Sequence, residues 1–230
     1  MQANSLEEAF RYNRDVEGPL NGRLTDFSAA VRVHGLAFAE AYDDLVARLK
    51  SEQAGSAAPQ PGDRMPSFLL PDKDGRLLDM NDLIADGPAV ISFNRGHWCE
   101  YCAIELSALK QGMEEIRARG ANAVAIMPEG PALTAKVSER IAGAFKILSD
   151  FDTSYCRSLG LAIWLGESVR ELYLAHGLRL HNYQGNDAWF VPIPATYVVG
   201  ADAKIIACKV DADFRNRMEI TEILAALDRC

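Results

Sequence analysis

The sequence predicts an α/β domain built on a mixed β-sheet and preceded by an N-terminal helical extension. Three observations predict it. From about residue 62 onward, short apolar runs alternate with amphipathic stretches in the order strand, helix, strand, which requires parallel pairing with right-handed crossovers. Near the C-terminus two apolar runs flank residues 200–203, Gly-Ala-Asp-Ala, as in an antiparallel hairpin, so the sheet is mixed. Before residue 50 the apolar positions recur at helical spacing.

In chain order, residues 6–16 read as a short helix. Residues 24–49 read as one long amphipathic helix, with Phe27, Val31, Phe38, Tyr42, Leu45 and Leu49 on one stripe and Thr25 or Asp26 able to cap its start. Residues 51–61 shift to Ser, Ala, Gly, Gln and Pro, a linker composition that buries little. The expected organisation is therefore an extension over 1–50, a linker over 51–61 and a redox domain over 62–230. Within that domain the pattern gives a hairpin around Asp72-Lys-Asp-Gly75 and a buried strand over 89–93. A helix over 99–119, a strand over 121–127, a helix over 131–142 and a short strand over 145–148 follow. After a short helix leading to Gly160 come the hairpin strands 195–199 and 204–208 and a closing helix over 219–227.

The composition excludes several function classes. The chain has 230 residues, 49% of them hydrophobic, which is enough to build a core and excludes disorder as its main state. No stretch approaches the roughly 18 uninterrupted apolar residues of a membrane span. With 24 Lys plus Arg against 32 Asp plus Glu the net charge is −8, the wrong sign for binding a phosphate backbone. No membrane and no nucleic-acid partner is expected. Residues 1–10 carry Glu7 and Glu8 and lack the pattern of a secretion signal, which predicts a cytoplasmic protein. The stripe on residues 24–49 is too wide to leave in water; it must pack on its own core or on a second chain, and a homodimer through these helices is the favoured outcome.

The segment with chemistry is Phe93-Asn-Arg-Gly-His-Trp-Cys99-Glu-Tyr-Cys102-Ala-Ile-Glu-Leu106. A buried strand ends, a short loop follows, and two cysteines three apart open a helix. There the helix dipole and unpaired N–H groups favour a thiolate, and Arg95 adds positive charge. His97 reads as a solvated loop residue, and Trp98 as a hydrophobic shield beside the dithiol. Of the five cysteines, Cys156, Cys208 and Cys230 stand alone, so zinc has no second ligand pair and no metal or organic cofactor is expected. The expected chemistry is a dithiol that closes to a Cys99–Cys102 disulfide.

This segment resembles the thioredoxin-like fold in its Trp-Cys-x-x-Cys after a buried strand. The longer run over 93–106 resembles the peroxiredoxin-like branch of the alkyl hydroperoxide reductase and thiol-specific antioxidant family. Two further segments match that branch: Val191-Pro-Ile-Pro194-Ala-Thr-Tyr-Val-Val199, and Asp211-x-Asp-Phe-Arg-x-Arg-Met-Glu219. The resemblance implies a thiol oxidoreductase, with a peroxide as substrate and a thioredoxin- or glutaredoxin-like external thiol as reductant. It leaves two catalytic frames open, with a non-catalytic thioredoxin-fold binding module as the further alternative. In the peroxiredoxin frame Cys102 attacks, with Cys99 at the position of a threonine and Glu105 at that of a glutamate. In the thioredoxin frame Cys99 attacks and Cys102 resolves, and the substrate is a protein disulfide. Pro194 stands where peroxiredoxins carry an arginine and thioredoxin-like reductases a cis-proline. The resemblance to the latter implies a cis bond at Pro194, with the Ile193 backbone free to pair with a substrate chain. In the peroxiredoxin frame Arg95 either replaces the lost cation or simply pairs with a surface carboxylate.

Overall fold

The computed structural model describes residues 4–230. Its helices are α1 (Leu6–Asp15), α2 (Leu20–His34), α3 (Leu36–Ser51), α4 (Met80–Ile84), α5 (Glu100–Gln111), α6 (Met113–Ala118), α7 (Pro131–Arg140), α8 (Ser154–Ser158), α9 (Glu167–Ala175), α10 (His181–Gln184) and α11 (Ile220–Leu227). Its strands are β1 (Leu69–Pro71), β2 (Leu77–Asp79), β3 (Ala89–Phe93), β4 (Asn122–Met127), β5 (Lys146–Ser149), β6 (Ala162–Trp164), β7 (Phe190–Pro192), β8 (Ala195–Val199) and β9 (Ile205–Val210).

The central sheet has the order β5-β4-β3-β8-β9. β3, β4 and β5 run parallel, joined through helices, while β8 pairs antiparallel with β3 and with β9. β3 and β8 are buried at every position, which explains why neither alternates apolar with charged residues: a strand covered on both faces has no solvent side. The hairpin β1-β2 and a separate antiparallel pair, β6-β7, complete the strands among the described residues. The mixed α/β sheet flanked by helices is the predicted fold class.

Two predicted helices are broken. The expected 24–49 helix is α2 and α3, separated at Gly35, whose backbone leaves the helical region (φ −145°, ψ 55°). The expected 99–119 helix is α5 and α6, with Gly112 between them; a Cβ there would lie 2.6 Å from Ile220 of α11. α2 starts at Leu20 because the Glu219 carboxylate accepts from the Leu20 and Asn21 backbone N–H groups at 2.8 and 2.7 Å, so neither Thr25 nor Asp26 is needed as its cap. The extension lies against the redox domain: Leu20, Leu24, Phe27 and Val31 are buried, and Phe27 meets Tyr101 of α5 edge-on at 5.0 Å. The apolar stripe that raised the question of a second chain is thus covered within this one. Residues 161–192, to which the sequence pattern assigned no elements, form β6, α9, α10 and β7. Among the described residues no helix is long and apolar enough to cross a membrane.

Candidate functional site

The site lies where β3 hands the chain to α5. Asn94 prolongs the ladder to β4, its N–H donating to Ile126 O at 2.9 Å. The chain then turns at Gly96 (φ +139°), where a Cβ would lie 2.6 Å from both Glu129 Oε1 and Trp98 Nε1. No other residue fits that turn without displacing one of them. The buried Glu129 carboxylate accepts from the His97 N–H at 2.8 Å and lies 2.7 Å from His97 Nδ1, pinning the loop to the end of β4. His97 is therefore tethered and stacks edge-on against Tyr183, unlike the solvated loop residue expected.

Cys99 is the N-cap of α5, and its sulfur accepts from the Cys102 N–H at 3.4 Å. Arg95 Nε and Nη2 donate to the same sulfur at 3.3 and 3.2 Å. Cys102 sits one turn deeper; its sulfur accepts from the Arg95 N–H at 3.4 Å and is approached by Arg217 Nη2 at 3.7 Å. Arg217 forms a buried ion pair with Glu105, whose Oε1 accepts from Thr196 Oγ1 at 3.1 Å and Ser92 Oγ at 3.4 Å. The two sulfurs are neighbours and are not bonded to each other.

This geometry separates the thiols. Burial alone would push the Cys99 thiol up, but the hydrogen bond from the Cys102 thiol and the Arg95 and Arg217 guanidiniums outweigh it and bring Cys99 down to about 6. Cys102 goes the other way: burial and the adjacent Cys99 thiolate hold it well above the ordinary cysteine value, against the pull of Arg217 and Arg95. Burial also raises the Glu105 carboxyl, opposed by Arg217. The arginines and the helix start thus favour the thiolate form of Cys99, and burial favours the thiol form of Cys102.

Cys99 faces a cavity of about 130 Å³ whose walls include Phe38 and Tyr42 of α3, Trp98, and Tyr173 and His176 at the end of α9. The Tyr42 and Tyr173 hydroxyls lie 3.0 Å apart, and burial pushes Tyr173 up to about 12. Two donors, Arg95 Nη1 and Trp98 Nε1, have no hydrogen-bond partner among the described residues. Arg95 also stacks on Phe214, its guanidinium carbon 3.9 Å from the ring centre.

The structure brings together Arg95, Trp98, Cys99, Cys102 and Glu105. Pro194 is placed differently from expectation. The described residues contain no cis peptide bond, so the expected cis bond at Pro194 is absent, and the Ile193 N–H donates to Leu161 O at 2.6 Å within the fold. Arg217, Phe214, Tyr42 and Tyr173 were missed. Arg217 and Phe214 lie in the segment 211–219 that carried the resemblance, and a second arginine there was the signal for the second cation. Val169, Leu172, Tyr173 and His176, at helical spacing, would have marked α9. Cys156 is buried, and Cys208 and Cys230 are partnered with Pro59 O and Ala226 O, none of them at the dithiol. Among the described residues no group of three or more His, Cys, Asp or Glu side chains is placed to hold a metal ion.

The chain is similar to known proteins along most of its redox domain. The AhpC/TSA family profile matches residues 61–208, more than half of the chain. Peroxiredoxin Bcp of Escherichia coli is 26% identical over 100 residues, 44% of this chain and 64% of that protein, so the match spans less than two thirds of the relative's length. Among solved structures, peroxidoxin BcpB from Mycobacterium tuberculosis superposes with a TM-score of 0.57 at 21% identity, covering 74% of this chain and 97% of that one. A peroxiredoxin 6 of Arenicola marina gives 0.58 at 17% identity, covering 74% and 72%. At such identities these structures show the fold, which is the thioredoxin-like one of peroxiredoxins. With the profile match and that fold in agreement, the chain belongs to the AhpC/TSA family.

Proposed function

We propose that the protein is a thiol peroxidase in which Cys99 attacks the peroxide and Cys102 resolves the product. The observation that carries this reading is the pair of Arg95 N–H groups on a cysteine sulfur that caps a helix and faces a cavity, while the other cysteine lies deeper and protonated. The Cys99 thiolate displaces alkoxide or hydroxide from the nearer peroxide oxygen. The O–O bond breaks, the leaving group takes a proton from solvent, and Cys99 becomes a sulfenic acid. The unpartnered Arg95 Nη1 is a ready donor to the peroxide oxygens. Cys102 then attacks the Cys99 sulfur, water leaves, and an external dithiol of the thioredoxin or glutaredoxin kind reduces the disulfide and is itself oxidised. Arg95 thus stands in for the arginine that peroxiredoxins carry at the position of Pro194.

A small peroxide is favoured over a protein disulfide because the Cys99 cavity is only about 130 Å³ and the Ile193 N–H is engaged. The test is peroxide consumption coupled to peptide mapping of the oxidised protein. Rates well above that of free cysteine at the same pH, with Cys99 joined to Cys102, support the reading. Peroxide reduction no faster than by free cysteine removes it and leaves disulfide exchange through Cys99.

A further inference from the structure

Two arginines approach the dithiol, one to each sulfur. Arg95 serves Cys99, as described. Arg217 arrives from a different element, the segment between β9 and α11, and is 2% exposed. Its Nε is fixed by Phe214 O at 2.7 Å, its Nη1 by Glu105, and its remaining Nη2 reaches the Cys102 sulfur at 3.7 Å. Burying a guanidinium is costly, and Glu105 already neutralises this one, so charge balance alone gives no reason to aim its third nitrogen at a thiol.

Resting on the peroxidase reading above, we propose that Arg217 is the positioning residue of the resolving step, receiving thiolate charge on Cys102 once oxidation has removed the charge from Cys99. Before oxidation the Cys99 thiolate competes with Cys102 for the negative charge, and the two cannot both hold it. The charged groups facing Cys102 are Cys99, Arg95, Arg217 and Glu105. When Cys99 becomes a neutral sulfenic acid, the repulsion from Cys99 is gone and the two arginines remain. Cys102 then gives up its proton, its sulfur pair attacks the Cys99 sulfur, the S–O bond breaks, and the departing hydroxide takes up that proton as water. Cys102 is therefore silent until there is a sulfenic acid to resolve.

The test does not depend on peroxide. In Cys99→Ser protein, which removes the competing charge, Cys102 is titrated by its ultraviolet thiolate absorbance, with the Cys99→Ser, Cys102→Ser protein subtracting the other cysteines. The midpoint should rise by at least about one pH unit when Arg217→Gln is added, and Arg217→Lys should restore part of the shift. Should Arg217→Gln alone fail to fold, the midpoint is compared between Glu105→Gln and Glu105→Gln with Arg217→Gln, both in the Cys99→Ser background, so that only the arginine differs. An unchanged midpoint overturns the proposal. In the otherwise native protein, a peroxide pulse on Arg217→Gln should slow disulfide closure at least about tenfold more than sulfenic acid formation; equal slowing of both steps marks Arg217 as merely structural. If the unmutated protein forms no sulfenic acid, the peroxidase reading fails while the titration still decides the role of Arg217.

Discussion

Arg95→Gln removes the two N–H donors on the Cys99 sulfur while keeping a side chain of comparable length. Arg95 is one of four influences that oppose burial and hold Cys99 at about 6 against an ordinary 9.0, with the Cys102 thiol, Arg217 and the Cys102 backbone N–H as the others. A three-unit depression corresponds to on the order of 4 kcal/mol between the two protonation states. Losing Arg95 should therefore move the midpoint up by at least one unit, with full return to 9.0 as the upper bound. At that bound the thiolate fraction at pH 7 falls from about nine-tenths to about one per cent, roughly a ninetyfold loss. A more basic thiolate is about 15- to 30-fold more nucleophilic, so the net rate at pH 7 falls only about three- to sixfold. The midpoint is thus the sharper readout. Alkylation of reduced protein by iodoacetamide across pH, with modified Cys99 quantified by peptide mapping, measures it without assuming a substrate. A midpoint that stays near 6 in Arg95→Gln refutes the claim that Arg95 sets the charge on Cys99. Unfolding midpoints of both proteins, measured alongside, show whether the fold is intact.

The depressed Cys99 value also links stability to pH. A group whose folded value lies below its unfolded one contributes stability that is fully present above the unfolded value and is lost as pH falls through the folded value. Reduced protein should therefore gain stability from pH 6 to 9 relative to Cys99→Ser, as read by denaturant unfolding; parallel curves would contradict this. Glu105→Gln leaves Arg217 buried without its counter-charge and should cost about 3–5 kcal/mol in the same assay. Gly96→Ala forces a side chain into a positive-φ turn already filled by Glu129 and Trp98, and should destabilise by about 1–3 kcal/mol and lower Cys99 reactivity. Phe27→Ala opens a void between the extension and α5 and should cost about 3–5 kcal/mol, read as one cooperative transition at lower denaturant; no change would show that the extension is not part of the core.

The central sheet was legible because β3, β4 and β8 are predominantly apolar and the elements between them have helical periodicity. The dithiol was legible because a strand, a short loop and Cys99-x-x-Cys102 at a helix start is a local pattern. What escaped was non-local. The start of α2 is set by Glu219, some 200 positions away, and no local cap signal announces it. The break at Gly35 fell inside a pattern whose apolar spacing continues on both sides. Choosing between Cys99 and Cys102 needed the two arginines in space, because both cysteines share one motif while Arg95 and Arg217 are separated by most of the redox domain. Pro194 was misjudged through the family analogy: the position matched, but the backbone beside it is bonded to Leu161.

The central claim is that Cys99 is the attacking thiolate, and trapping of the first oxidised species tests it most directly. Reduced Cys99→Ser and Cys102→Ser proteins are each mixed with one equivalent of peroxide in the presence of a dimedone-type sulfenic acid probe, then digested and mapped. The account predicts one adduct on Cys99 in Cys102→Ser, formed as fast as the unmutated protein consumes peroxide, and no comparable adduct in Cys99→Ser. A rapid adduct on Cys102 in Cys99→Ser, with Cys99 unmodified in the converse variant, would contradict it and give the attack to Cys102.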